Sequence, residues 1–393
     1  MKDTRKFNIF LLMLIPMFQP KIFTQYTVST VIYIFLNVIE LVYFIWRYSK
    51  NGKKFSQPMI GWIIYRMYML IIMVMRRNFS GILQWGYLSL MVINLIFVFD
   101  IAKEGKEGDL VRSISLLGNI LLAINFATLL IYKRGIIRSN FYNVADGDYY
   151  FLGIKTQFTT MIFPTITAAI YYYNLEKNKK SRRILVFAII LSLLNIFYKN
   201  ISTAIVGGIL IILFILIEKI LKLKLNFKSC IIIAICIHIL VVFFNIQEHF
   251  SFFIEGILNK DATLSSRVYI WHNTKELLKN ESLLSLIFGN GLYNNNNFVP
   301  YAGRMWQPHN QLLLWIYSSG IVGTILILHF FRMIIPKKYT NDFKYRFIII
   351  MCFTILILSV TELYFDVAVC YVPYIMMYYC TNISESEKEG MNK

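Results

Sequence analysis

The chain has 393 residues, of which 57% are apolar and only 16% charged, with 40 Lys plus Arg against 21 Asp plus Glu and a net charge of +19. An ordinary soluble protein is roughly a quarter charged. The composition therefore excludes a soluble globular enzyme and a disordered chain.

Twelve apolar segments follow, each near the length that crosses a bilayer. They lie at about 7–24, 26–46, 58–75, 82–101, 112–132, 151–173, 184–198, 201–217, 229–247, 310–331, 346–361 and 364–381. The expected fold class is an all-α polytopic membrane protein with about 12 transmembrane helices. The first segment is the weakest, because it carries Pro16, Pro20 and Lys21, and a half-span is an alternative for it. Lys2, Arg5 and Lys6 precede it as they would a signal peptide. No small-residue cleavage site follows, so it is read as retained. With the N-terminus in the cytoplasm, 26 of the 40 basic residues fall inside, 13 outside, and Arg66 within the third span. That bias puts both termini inside. The net charge is thus an orientation signal and gives no support for a nucleic-acid partner. An arginine inside a span is costly and is usually paired or functional. Arg66 is read as either a bundle partner or a working residue.

The expected organisation is nine spans over 1–247, an outer loop at about 133–150 within them, a large external loop at 248–308, three spans over 309–382, and a tail at 383–393. In the first outer loop Arg134 and Arg138 are four apart and share a face if the segment is helical. Asp146-Gly147-Asp148 is an Asp-x-Asp pair, read first as a glycine turn and second as a metal holder. In the large loop Leu264, Val268, Trp271 and Leu278 are spaced for one face of a short helix, capped by Ser265 or Ser266. Asn294 to Asn297 read as a flexible turn. Cys230, Cys236, Cys352, Cys370 and Cys380 lie in or beside apolar stretches without zinc-ligand spacing. They predict neither a disulfide framework nor a structural metal. No nucleotide or dinucleotide fingerprint occurs, so no cofactor is expected. His238 lies unusually within a span, and Glu362 and Asp366, which flank the last outer turn, are read first as solvated span ends and second as facing the cavity. The tyrosines at 171–173 and 378–379 read as interfacial belts, and His272 and Trp306 as packed or sugar-stacking.

The sharpest pattern begins where the large loop re-enters the membrane. His309-Asn310 is followed by nine residues and then by Gly320-Ile321-Val322-Gly323. A histidine at the mouth of a span is a candidate general base, since its unperturbed pKa lies near neutrality. Gly320 and Gly323, some three turns deeper, would let another helix approach closely. The plainer alternative is an interfacial histidine with packing glycines.

The string His-[Asn/Ser/Gln]-x9-Gly-x-x-Gly resembles the signature of the O-antigen ligase and polysaccharide polymerase superfamily, the Wzy and WaaL type. His309, Asn310, Gly320 and Gly323 match it position by position. Ser266-Arg267-x3-Trp271 and Gly289-Asn290-Gly291 are similar to two further elements of the family, and the match covers roughly 265–325. Tyr150 to Lys155 is similar to polymerases of Gram-positive capsule clusters. The resemblance implies a GT-C-like membrane glycosyltransferase. Its substrate would be an oligosaccharide on undecaprenyl pyrophosphate, handled on the outer face of the bacterial cytoplasmic membrane. His309 would act on the acceptor hydroxyl. Arg267, with Arg304, Arg134, Arg138 and Asn310, would bind substrate. Gly320, Gly323, Trp271, Gly289 and Gly291 would be structural. A flippase, a chain-length regulator and membrane lipid are implied partners. The leading expectation is a capsular or O-antigen-like polymerase working by inverting, metal-independent transfer. Ligation to a lipid, wall or protein acceptor is the near alternative. A flippase or transporter of lipid-linked sugars is the alternative of another class, but no internal repeat supports it.

Overall fold

In the bilayer core every backbone group must find its partner inside the protein, which favours helices. The computed structural model describes residues 9–103, 105–138, 148–221, 225–250, 252, 256, 264, 266–335 and 342–379. Among the described residues, eight helices are long and apolar enough to cross a membrane. They are α1 (Thr27–Lys50), α2 (Gln57–Met75), α3 (Ile82–Ala102), α4 (Glu107–Ile131), α6 (Lys179–Lys199), α7 (Ser202–Leu221), α8 (Phe227–Phe244) and α11 (Gln311–Met333). The chain is an all-α, multi-pass membrane protein.

The other four predicted segments fall short of the expected twelve. The first gives a helical stretch at 9–14, a turn, and a 3-10 helix at Lys21–Gln25. Pro16 and Pro20 lack the N–H that would carry the helix through. The sixth begins in turns held by the Tyr150–Gly153 bridge, so its helix α5 starts only at Thr159 and ends at Glu176. The eleventh, α12 (Phe343–Leu358), has 16 residues. The twelfth opens with 3-10 helices at Tyr364–Asp366 and Ala368–Tyr371 before a helix at 372–379.

Small and polar side chains join the helices. Gly118 of α4 faces Thr165 of α5 so closely that an added Cβ would stand 2.0 Å from Thr165 Oγ1. Asn125 Nδ2 donates to Asn195 Oδ1 at 2.8 Å, tying α4 to α6. Asn94 Nδ2 donates to Asn37 O at 2.8 Å, tying α3 to α1. Such bonds contribute about 0.6–2 kcal/mol each in a membrane. Around α12 and the 372–379 helix the core is aromatic, with Phe331, Phe365, Tyr371 and Tyr374 in mutual contact. Tyr171 and Tyr379 are buried and bond Glu107 and Ser56, so they are bundle partners and not belt residues. By contrast α1 buries only Asn37, Phe44 and Tyr48 and turns Val28, Val31, Phe35 and Val42 outward.

The large loop folds over the start of α11. It contributes α9 (Arg267–Asn280), α10 (Leu283–Phe288) and a hairpin of β3 (Val299–Tyr301) and β4 (Arg304–Trp306). Leu264, Val268, Trp271 and Leu278, the predicted helix face, pack together on Leu313, Val242 and Val360. Ser266 precedes α9 in a left-handed conformation and makes no capping bond with its side chain. The asparagine tract is not an open turn. It forms a 3-10 helix at Asn294–Asn296, with Asn296 buried and bonded to Asp366.

Candidate active site

Asn310 starts the motif helix. Its Oδ1 accepts the Leu313 N–H at 3.0 Å, and its Nδ2 donates to Val360 O at 2.9 Å. Nδ2 also lies 3.1 Å from His238 Nδ1, whose ring reaches Ser359 Oγ through Nε2 at 3.2 Å. Asn310 is fully buried, and protein groups occupy its whole amide. It holds the turn that carries its neighbour.

That neighbour, His309, has a left-handed backbone with φ +46°. Its Nδ1 is buried and has no hydrogen-bond partner among the described residues, while the side chain keeps partial exposure. Burial first, and the charge of Arg267 second, push its imidazole down from the ordinary 6.5 to about 3. It is therefore neutral at physiological pH, with a lone pair to offer.

Arg267 is the first residue of α9, and its guanidinium is paired with Glu362. The pairing places Glu362 at the candidate site rather than at a solvated span end. The two side chains retain 18% and 13% of their accessible surface, so the pair is shielded yet reachable. Trp271, one turn on, is buried, and its Nε1 has no partner among the described residues.

The two glycine elements meet. Gly320 breaks α11 with φ 65° and ψ −173°, and the Gly289-Asn290-Gly291 turn bonds carbonyls of the helical turn that precedes it. Asn290 N–H donates to Tyr317 O at 3.0 Å and Gly291 N–H to Ser318 O at 2.9 Å. An added Cβ on Gly289 would stand 2.4 Å from Ser318 O, and one on Gly320 2.3 Å from Ile287 O. Tyr68 of α2 closes the joint by donating to Phe288 O and Ser319 O. Arg76 Nε donates to Gly289 O at 3.0 Å, so the arginine that follows α2 pins the turn. Gly320 thus admits a loop backbone. Gly323 is the position that faces a helix, with an added Cβ 2.8 Å from Tyr68.

The remaining predicted residues lie apart. Arg304 is exposed at the end of the β3–β4 turn, opposite Tyr301. Trp306 spends its indole N–H on Tyr301 O at 2.9 Å, so it braces that hairpin. Arg134 is an exposed turn residue, and Arg138 lies in β1 (Ile137–Arg138), paired with β2 (Asp148–Tyr149). The segment is extended, so the two arginines do not share a helical face. Asp146 and Gly147 lie outside the described residues, and Asp148 sits across from Arg138.

A polar layer lies behind the motif helix. Arg66 donates to Ser89 Oγ and Trp85 O, both at 2.7 Å, and stacks on Trp62 and Trp85. It is a partner within the bundle. It also lines a small cavity with Gln84, Ser318, Asp366 and Tyr371. Sequence reasoning assigned His238 no role and ranked a cavity-facing role for Glu362 and Asp366 second, since their partners are far away in the chain.

Residues 187–328 match the family model Wzy_C, O-antigen ligase, so that stretch is similar to the family. The matched stretch contains α9, the glycine turn and His309 to Gly323. Members of the family are membrane glycosyltransferases of ligase or polymerase type in polysaccharide biosynthesis, and they act on lipid-linked glycans. No curated protein and no solved structure matches the chain.

Proposed function

From the similarity of residues 187–328 to Wzy_C, we propose a polymerase that joins undecaprenyl-pyrophosphate-linked repeat units on the outer face of the cytoplasmic membrane, with both termini inside. The observation that carries this reading is the juxtaposition of a neutral His309, whose Nδ1 has no hydrogen-bond partner among the described residues, with the Arg267–Glu362 pair at the mouth of the motif helix.

The chemistry follows from the two groups. An acceptor hydroxyl oxygen attacks the anomeric carbon of the donor glycan, and the bond from that carbon to the pyrophosphate oxygen breaks. His309 takes the hydroxyl proton, or orients the hydroxyl that loses it. Negative charge grows on the pyrophosphate, and the arginine fork receives it. Glu362 holds that fork in place. The arrangement is also self-timing. Arg267 depresses the basicity of His309. A bound pyrophosphate offsets the Arg267 charge, so the imidazole becomes a better base when the donor is present.

Arg267→Lys keeps the charge and loses the fork. The turnover number is expected to fall about 10²-fold, as on removal of one preorganised donor. Glu362→Gln should lower turnover less and raise KM for the lipid-linked donor. Steady-state kinetics in proteoliposomes check both, and wild-type turnover in Arg267→Lys would remove the arginine from the site.

The test of the function itself uses purified protein in proteoliposomes with a lipid-linked repeat unit as the only glycan. A ladder of products still linked to pyrophosphate supports polymerisation. A glycan moved only onto a lipid, peptide or wall acceptor supports ligation. Transbilayer movement without new glycosidic bonds would turn the reading to a flippase.

A further inference from the structure

We propose that His238, within the membrane-spanning helix α8, is a positioning residue for glycosyl transfer: by accepting the second amide proton of Asn310 it locks the turn from which His309 enters the site. The inference rests on the reading of His309 given above.

His238 Nδ1 lies 3.1 Å from Asn310 Nδ2 and 3.3 Å from its Oδ1, and Oδ1 already accepts from Leu313 N–H, so the shorter contacts favour one assignment of protons. Leu313 N–H needs an acceptor and Val360 O needs a donor, so the Asn310 amide points its oxygen to the first and its nitrogen to the second. Ser359 Oγ gives its own proton to Leu356 O at 2.7 Å. It therefore offers His238 only a lone pair, and the ring proton sits on Nε2, 3.2 Å away. Nδ1 is then a lone pair facing Asn310 Nδ2 at 3.1 Å. Every donor meets one acceptor, and the network of three side chains closes.

The network bears directly on His309. A left-handed, non-glycine residue persists only where its surroundings fix it, and His309 has φ +46°. The next residue is fixed from three elements at once. Asn310 is held by α8 through His238, by the stretch after α12 through Val360, and by α11 through Leu313. The first helical residue is tied to the same place, since Gln311 N–H donates to Ser359 O at 3.0 Å. An imidazole inside a span is costly unless paired. Here it supplies the one thing an apolar side chain cannot, an acceptor aimed at Asn310.

The test compares His238→Leu, which removes the acceptor, with His238→Asn, whose carbonyl oxygen stands near the place of Nδ1. Both are read in proteoliposomes with the lipid-linked repeat unit, at matched amounts of folded protein. His238→Leu should lower the turnover number at least about 10-fold, because small misplacement of a catalytic group is costly, with KM for the lipid-linked donor within about twofold. His238→Asn should recover to within about threefold of wild type. The effects of His238→Leu and Asn310→Ala should not add, as expected for one unit. Wild-type turnover in His238→Leu overturns the inference. So does an equal loss in Leu and Asn variants, which would mark a packing role. If His238→Leu does not insert, Ser359→Ala takes its place: it frees Nε2 and should lower turnover several-fold, and an unchanged rate overturns the inference. Absence of transfer by the wild-type protein would instead refute the glycosyltransferase reading.

Discussion

His309→Ala is expected to abolish long polymer while the protein inserts at the wild-type level. General acid–base groups contribute about 10²–10⁴-fold, and the turnover number should fall within that range. KM for the lipid-linked donor should change little, because the arginine that meets the pyrophosphate is untouched. In cells the matching result is loss of surface polysaccharide, with single repeat units still reaching the outer face. Normal polymer in this variant would return the histidine to a packing role. The pH behaviour separates the two further. The imidazole is held down to about 3 in the folded protein against an ordinary 6.5. The unfolded chain therefore takes the proton first. Stability linked to His309 is complete above about 6.5 and declines as the pH falls from there toward 3. The thermal midpoint of the wild type should drop across that window more than that of His309→Asn. An acid limb in kcat/KM, which reports the free enzyme, with a midpoint near 6.5 and assigned to His309 by its absence in the variant, would show that the ring is not enclosed as described.

What the sequence disclosed, and what it withheld, divides by the range of the interaction. The short helix face of Val268, Trp271 and Leu278 was legible because helical spacing is local; Leu264, predicted to belong to it, precedes α9 with φ 52° and joins the same cluster from outside the helix. The eight long spans were legible because bilayer thickness sets their length. The sixth and eleventh segments are helical but short, over Thr159–Glu176 and Phe343–Leu358, while the first and twelfth differ because an apolar run shows burial without showing that the backbone stays helical, and 3-10 turns at Tyr364–Asp366 and Ala368–Tyr371 are as apolar as a helix. Arg134 and Arg138 are four apart, yet helical spacing means nothing in a hairpin strand. Arg267 and Glu362 are separated by 95 residues and His238 and Asn310 by 72. No periodicity reports pairs so distant. One signal did exist: ionisable residues at or inside a span need partners, and His238, Glu362 and Asp366 were all such residues.

Gly320→Ala should be the most damaging small substitution in the bundle, and Gly323→Ala the informative control. Sequence spacing makes the two glycines equivalent, but the backbone does not. Gly320 has φ 65° and ψ −173°, a conformation that L residues rarely adopt. Forcing a side chain into it costs about 1–3 kcal/mol. The new Cβ would also stand 2.3 Å from Ile287 O, 2.5 Å from Ile287 C and 2.6 Å from Gly289 N. All three are backbone atoms of the turn that caps the broken helix, so they cannot swing aside. Overpacking adds about 1–3 kcal/mol, and the total is a large share of the roughly 5–15 kcal/mol that holds a typical fold. At Gly323 the near atoms are Cβ and Oγ of Ser319 and Cε1 of Tyr68, but the backbone is helical, so Gly323→Ala carries a packing cost without the conformational one. The expected order is a large fall in thermal midpoint and inserted protein for Gly320→Ala, and a smaller one for Gly323→Ala. Gly289→Ala should behave like Gly320→Ala, and the pair should not add, since each glycine makes room for the other's backbone. Thermal unfolding of detergent-solubilised protein, followed by tryptophan fluorescence, measures all four variants. Equal midpoints for the two single variants at 320 and 323 would mean that α11 runs through Gly320 unbroken, and that the glycine turn does not seat against it.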